Sequence, residues 1–255
     1  MDNLLNADGD LIGVKLPSAL SDIFYIDFYS KYNSCFDYLI SPECFWKNMS
    51  YKYNNVNLMA PEQVHMTNIV KLSDASFLPE RPECDGVFIK SSDKDAACLR
   101  FADCTPVILA GLKPEPWILM IHSGFNGTLL NITGESVNKL INTGDIITDK
   151  DNVWAWVGPS ICKNCYNRKQ SDPKTITAVK TFDNKNFTAN KEYINFNIKG
   201  EIRTQLLNIG VSSENIMVST ECTNCSCDKY LSYRAGDKIH RMFIIAGVKN
   251  NKSLS

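Results

Sequence analysis

Residues 84–121 read CDGVFIKSSDKDAACLRFADCTPVILAGLKPEPWILMI and contain four apolar or β-branched runs, at 86–89, 97–102, 107–110 and 117–121. Each run is short and bounded by Gly, Pro, Asp or Ser, the pattern of a strand rather than a helix. Several show no polar alternation, so burial on both faces is expected. Further runs at 153–157, 214–218 and 243–248 extend the set. Helical patterns lie between them. Over 197–209, Ile198, Ile202, Leu206 and Ile209 form one apolar stripe, and Gly210 follows as a stop. Residues 128–141 form a weaker helical pattern, interrupted at Gly134. Interleaved strands and helices predict an α/β fold: a single domain spanning 1–255, with a mixed β-sheet flanked by helices. No repeat, low-complexity linker or composition break divides the chain. Residues 1–60 are the least readable, and the Asn/Lys/Ser tail at 249–255 is expected to fray.

The composition is that of a globular chain, with 44% hydrophobic and 22% charged residues. Basic and acidic residues balance at 27 against 28, and the lysines are scattered. That argues against a nucleic-acid or anionic-membrane surface. No apolar run approaches the roughly 18 residues of a membrane span. The acidic, polar start MDNLLNADGDLIG lacks the basic and apolar segments of a signal peptide. A cytoplasmic location is therefore expected, and the ten cysteines read as reduced thiols or metal ligands.

Three side chains at the ends of apolar runs have metal-ligand chemistry: His65, Cys104 and His122. The chain has only three histidines, and two belong to this set. A catalytic zinc needs three protein ligands of this kind and an open fourth position. The spacings of 39 and 18 residues match no local zinc motif, so such a site must be assembled by the fold. Taken singly, Cys104 also reads as a small buried hydrophobe, and either histidine as a hydrogen-bonded core residue. Cys104 stands before Thr105-Pro106, where proline favours extended chain, so Asp103 is expected to point to the opposite side. His122 opens a turn containing Gly124 and Gly127, where backbone can approach a ligand closely.

A second group comprises Cys162 and Cys165 in C-x2-C, and Cys222, Cys225 and Cys227 in C-x2-C-x-C. Two C-x2-C units read as a structural zinc site by spacing, but their separation of 57 residues exceeds that of an ordinary zinc ribbon. The favoured reading is a cluster of reduced thiols near the pocket, with a second metal site as the alternative.

The stretches around these residues, in order QVH (63–65), ADCTPV (102–107), HSGFNGT (122–128), GPSI (158–161) and CTNC with LSYRA (222–235), resemble the YfiH family. That family is also catalogued as laccase-domain or multicopper polyphenol oxidoreductase proteins and as purine nucleoside phosphorylases. The resemblance implies that His65, Cys104 and His122 hold one zinc ion. It also implies phosphorolysis of purine nucleosides (adenosine, inosine, methylthioadenosine) to free base and ribose 1-phosphate, together with adenosine deamination. Purine nucleoside and phosphate are then the small-molecule partners. Cys104, His122 and Arg234 are the expected catalytic residues, Arg234 because a guanidinium binds phosphate bidentately. Cys165, Cys222 and Cys225 have family counterparts, whereas Cys162 and Cys227 have none.

The chain departs from the family where H-A-G-W-R-G-T becomes His122-Ser-Gly-Phe125-Asn126-Gly-Thr128, and where the second arginine of S-[YH]-R-R is Ala235. Phe125 keeps a ring able to stack on a base. The two lost arginines predict weaker phosphate binding or a shifted substrate. Three other readings stand beside this one. A copper-dependent polyphenol oxidase would need more histidines than the chain has. A cysteine hydrolase or amidase would use Cys104 as nucleophile and His122 as base. A non-enzymatic interaction protein would carry a structural metal.

Overall fold

The computed structural model describes residues 14, 16–31, 36–147 and 152–249. In chain order its elements begin with α1 (Ser18–Ser21), β1 (Phe24–Tyr29), α2 (Pro42–Met49), β2 (Leu58–Met59) and β3 (Ile69–Lys71). The central strands follow: β4 (Gly86–Lys90), β5 (Ala96–Phe101), β6 (Thr105–Gly111) and β7 (Trp117–Ser123). Next come α3 (Phe125–Leu129), α4 (Ile132–Asn142), β8 (Val153–Val157), β9 (Asn167–Lys169) and α5 (Pro173–Thr181). The chain then forms β10 (Phe187–Ala189), β11 (Tyr193–Phe196), α6 (Ile198–Asn208), β12 (Ile216–Val218) and β13 (Met242–Val248). Short 3-10 turns connect several of them.

The mixed α/β class expected from the sequence is present, with the described strands divided among three sheets. Six strands run in the order β12-β8-β6-β7-β4-β3. Four run in the order β1-β13-β5-β2, and β10-β11-β9 form a small antiparallel sheet. The six-stranded sheet is antiparallel at its centre and parallel at both edges, where β12 joins β8 and β3 joins β4.

Two apolar clusters explain the unbroken hydrophobic runs. Ile108, Ala110, Ile118, Met120, Val87 and Ile89 turn one face of the six-stranded sheet toward the four-stranded one. Their neighbours Val107, Leu109, Leu119, Ile121 and Phe88 turn the other face toward α4 and α6, against Val137, Leu140, Ile202 and Leu206. With both faces covered, every position of β6 and β7 is buried, and no polar alternation survives. The β6–β7 connection is closed by the Trp117 indole, which donates to the Lys113 carbonyl at 3.1 Å. Gly111 lies directly under that ring, where an added Cβ would come within 2.6 Å of it.

Helix α6 matches its sequence pattern and is capped by Asn197, whose side chain accepts the Gly200 N–H; Gly210 follows in the left-handed region at φ 88°. The helical pattern over 128–141 breaks at a different place from the one expected. Leu130 and Asn131 separate α3 from α4, Asn131 adopts φ 55°, and its side chain caps α4 by accepting the Gly134 N–H. Gly134 sits under that cap and is part of the helix. The N-terminal sixty residues supply β1 and α2, neither evident in the sequence. Lys249, expected to fray, donates its N–H to the Ile23 carbonyl at 2.7 Å; residues 250–255 lie outside the described residues.

Leu206 is fully buried between α6 and the sheet, whereas Ile141 on α4 is 39% exposed. Leu206→Ala should lower unfolding free energy by about 2–5 kcal/mol. Ile141→Ala should change it by less than about 0.5 kcal/mol. Urea denaturation of both variants checks this, and similar losses at the two positions would contradict the orientation of these helices.

Candidate metal centre and cleft

Strand register brings the three proposed ligands to one end of the six-stranded sheet. In the β6–β7 ladder Pro106 faces His122 and Thr105 faces Ser123, so Cys104 and His122 sit at the same edge. In the β4–β7 ladder Gly86 faces Ile121, which sets Asp85 beside His122. His65 arrives on the segment before β3, whose first residue, Ile69, lies opposite Gly86. The ligand atoms of His65, Cys104 and His122 all lie within 4.8 Å of one another. The two imidazoles meet edge to face, with centroids 4.8 Å apart.

Asp85 is fully buried and binds both histidine segments. Its carboxylate accepts backbone N–H groups from Val64 at 3.2 Å, His65 at 2.9 Å and Met66 at 2.7 Å. It also accepts from His122 Nδ1 at 2.8 Å, while its carbonyl accepts the His122 N–H at 2.7 Å. Burial alone would raise the Asp85 pKa, but the His122 hydrogen bond and the Met66 and His65 N–H groups outweigh it and hold the carboxyl below its usual range. With Nδ1 committed to Asp85, Nε2 of His122 is the ring atom left for a ligand, as in metal-bound histidines backed by a carboxylate.

Cys104 and His122 shift each other's ionisation. Burial disfavours the Cys104 thiolate, yet His122 and then His65 reverse that effect and lower its pKa to about 6. Burial opposes charge on His122 too, but Cys104 and Asp85 raise its pKa to about 9. Each therefore favours the charged form of the other. Gly124 packs against both ligands: an added Cβ would lie 2.8 Å from Cys104 Sγ and 3.3 Å from a His65 ring carbon. His65 itself is held at φ 60°, a conformation costly for a residue with a side chain. The Asp85 contacts and the Asn126 amide, which donates to the His65 carbonyl at 2.6 Å, keep it there.

Two nitrogens and one sulfur make a donor set for a tetrahedral divalent ion, whose ligands lie roughly 3–4 Å apart, and a 4.8 Å limit on their separation is close to that spacing. They open onto a cleft of about 470 Å³. Its walls carry three guanidinium groups, Arg100, Arg234 and Arg241, and two aromatic rings, Tyr166 and Tyr233. Arg100 is half-buried, and its Nε is enclosed with no hydrogen-bond partner among the described residues. Burial and the nearby Arg81 and Arg241 lower its pKa, because like charges stand close together on this wall. Gln63 bonds both backbone groups of Arg100 at 2.8 Å, fastening the His65 segment to β5. Arg234 donates to the Cys165 carbonyl at 3.1 Å and lies over the Tyr166 ring.

Several sequence expectations change here. Asp103 lines the same cleft as Cys104. Residues 102–104 form a turn between β5 and β6, with Asp103 at φ 80°, so strand alternation does not apply. The Asp103 carboxylate accepts the Thr223 hydroxyl and the Arg234 N–H, both at 2.7 Å. Phe125 is a core residue, packed against Tyr166, Phe182 and Phe196 with the Arg168 guanidinium over its ring. The aromatic rings that line the cleft are those of Tyr166 and Tyr233. Asn126 secures the ligand segment. Sequence reading missed Asp85, Gln63, Arg100, Arg241, Tyr166 and Tyr233; Asp85 in CDG and Arg100 inside AACLRF were visible as isolated charges in apolar runs.

The family described as Multi-copper polyphenol oxidoreductase laccase matches residues 44–249, and the chain belongs to it. Over 183 residues the chain is 28% identical to a purine nucleoside phosphorylase of Aquifex aeolicus, covering 71% of this chain and 78% of that one. A purine nucleoside phosphorylase of Rickettsia prowazekii is 29% identical over 181 residues, 70% of each chain. The crystal structure of YlmD from Geobacillus stearothermophilus shares the fold, with a TM-score of 0.77 at 21% identity over 92% of this chain and 94% of that one.

An ion held by His65, Cys104 and His122 should depend on the residues that position them. Asp85→Asn should weaken zinc affinity about 10- to 100-fold. Gly124→Ala should weaken it as well, because its methyl group must displace Cys104. Competition with a chromogenic chelator measures both. Wild-type affinity in the two variants would remove Asp85 and Gly124 from the centre.

Proposed function

We propose that the chain is a zinc-dependent purine nucleoside phosphorylase. It would convert adenosine, inosine or methylthioadenosine and phosphate to free base and the pentose 1-phosphate, with adenosine deamination as a second activity of the same cleft. The observation that carries this reading is the N, S, N donor set opening onto a cleft lined by three guanidinium groups. The relatives named purine nucleoside phosphorylase support it. Zinc fits the donors better than a multicopper centre, which asks for more imidazoles. His240, the third histidine, stacks on Phe36 and is absent from the cleft lining. Nine cysteines without a disulfide among the described residues suit a reducing compartment such as the cytoplasm.

A zinc ion at His65, Cys104 and His122 would supply Lewis acidity toward an oxygen of the reactants. The protein's own groups account for binding and charge. Arg100, Arg234 and Arg241 hold the phosphate dianion by charge-assisted hydrogen bonds, and the buried Nε of Arg100 is sheltered from solvent. Tyr166 and Tyr233 offer rings to the purine. With phosphate and nucleoside held together, a phosphate oxygen attacks C1′ of the sugar. The glycosidic C–N bond breaks, its electrons pass to the purine, and the base takes up a proton. Thus Arg100 and Arg241 replace the positive charge that the sequence lacks at Asn126 and Ala235.

The low pKa of Cys104 beside His122 favours a second reading, a cysteine hydrolase with Cys104 as nucleophile. Alkylation separates the two. Zinc coordination should protect Cys104 from iodoacetamide until a chelator is added. Rapid labelling in metal-replete protein, with activity lost and zinc retained, would favour the hydrolase.

Metal-replete protein incubated with inosine and phosphate should release hypoxanthine and ribose 1-phosphate, and with adenosine alone should yield inosine. Absence of any purine product under both conditions would overturn the proposed function. Arg100→Gln should raise the KM for phosphate by about 10- to 100-fold, the loss of one charge-assisted contact, while the nucleoside KM changes little. An unchanged phosphate KM would remove Arg100 from the anion site.

A further inference from the structure

The parallel pairing of β8 with β12 sets Val157 opposite Val218, so the loops leaving both strands start side by side at one sheet edge. The first carries Cys162 and Cys165, the second Cys222 and Cys225. Their four sulfurs lie within 4.8 Å of one another. Cys225 Sγ is 3.4 Å from Cys165 Sγ and 4.0 Å from Cys162 Sγ. A zinc ion with Zn–S bonds of about 2.3 Å requires tetrahedral edges of roughly 3.8 Å. A disulfide would instead draw two sulfurs to about 2.05 Å, and here one sulfur stands close to two others. Cys227 stays outside the group.

Hydrogen-bond donors surround two of the four sulfurs. Cys222 Sγ accepts the backbone N–H of Cys162 at 3.2 Å and of Cys225 at 3.4 Å, and Cys165 Sγ accepts the Asn224 amide at 3.3 Å. These donors stabilise charge on sulfur. The buried ammonium of Lys199 donates to the Glu221 carbonyl at 2.6 Å and acts electrostatically on Cys222 and Cys162. The Cys162 carbonyl accepts both the Cys165 and Tyr166 N–H groups, which fixes the first C-x2-C turn. Soft sulfur donors in a tetrahedral array select zinc over hard cations.

We propose that Cys162, Cys165, Cys222 and Cys225 bind a second ion, a structural Zn2+ with a closed all-cysteine shell. Binding replaces S–H bonds by Zn–S bonds and releases the thiol protons to solvent. The ion joins the two loops and fixes one wall of the cleft, because Ile161 and Tyr166 line it and the Cys165 carbonyl receives Arg234. It has no open position and takes no part in the chemistry.

The decisive measurement is metal content by elemental analysis and intact mass in a variant that lacks the other site. Full-length His65→Ala/His122→Ala should retain about one zinc per chain, and adding Cys162→Ser and Cys225→Ser should reduce that to about zero. No metal in the first variant, iron in place of zinc, or a metal-free mass four hydrogens light from two disulfides would each refute the site. Wild-type protein gives a test that does not depend on variants folding. Cys225, exposed at the surface, should resist iodoacetamide until a chelator removes the ion. Immediate alkylation of Cys225 in metal-replete protein would overturn the proposal.

Discussion

The Asp85 carboxylate is the contact on which the candidate site depends. A charge enclosed in protein is costly unless its lone pairs are satisfied, and here four N–H donors converge on two oxygens. Three come from a segment with no regular structure, and the fourth comes from a strand. The carboxylate therefore supplies ordering that 64–66 cannot obtain from a ladder, and it does so while selecting the His122 ring nitrogen that faces the other ligands. Removing the acceptor would leave backbone donors stranded as well as loosening a ligand. Structure and chemistry at this point share one cause.

The same economy appears where the chain departs from its family pattern. Phe125 begins a helix that must pack on the aromatic group Tyr166, Phe182 and Phe196, so its ring is committed to the second core cluster. Asn126, one residue on, reaches the His65 carbonyl across the turn. An arginine at that position would bring charge but would lose this short amide contact to a strained residue. Positive charge enters the cleft from other elements, Arg100 at the end of β5 and Arg241 before β13.

Much of this architecture was legible in the sequence because it is local. The runs that became β4 to β8 carry their strand signal in β-branched residues and bounding turns, and α6 carries its own stripe, cap and stop. The three metal-ligand candidates were legible by residue type, as was the family by its motifs. What escaped was set by contacts distant in the chain. Asp85 gains its role from residues twenty places before it and thirty-seven after it. Asp103 turns into the cleft because Thr223 and Arg234 hold it there, against the alternation its neighbours suggested. Asn131 breaks a helical pattern whose visible weak point was Gly134, since left-handed backbone at an asparagine leaves little trace in periodicity. The nearness of the two C-x2-C units likewise required the parallel β8–β12 pairing, a non-local contact.

The position of β13 has a consequence for synthesis. It lies between β1 and β5, which do not pair with each other, so the four-stranded sheet is closed by the last of its described strands in chain order. A chain growing from its N-terminus holds β1 without a ladder partner among the described strands until Met242–Val248 has emerged, and the first apolar cluster lacks Met242, Phe243, Ile244 and Ile245 until then. Long-range pairing of this kind delays folding and exposes strand edges in the interim. Arg241 arrives with the same segment and completes the cationic wall of the cleft. Closure of the sheet and completion of that wall are thus one event.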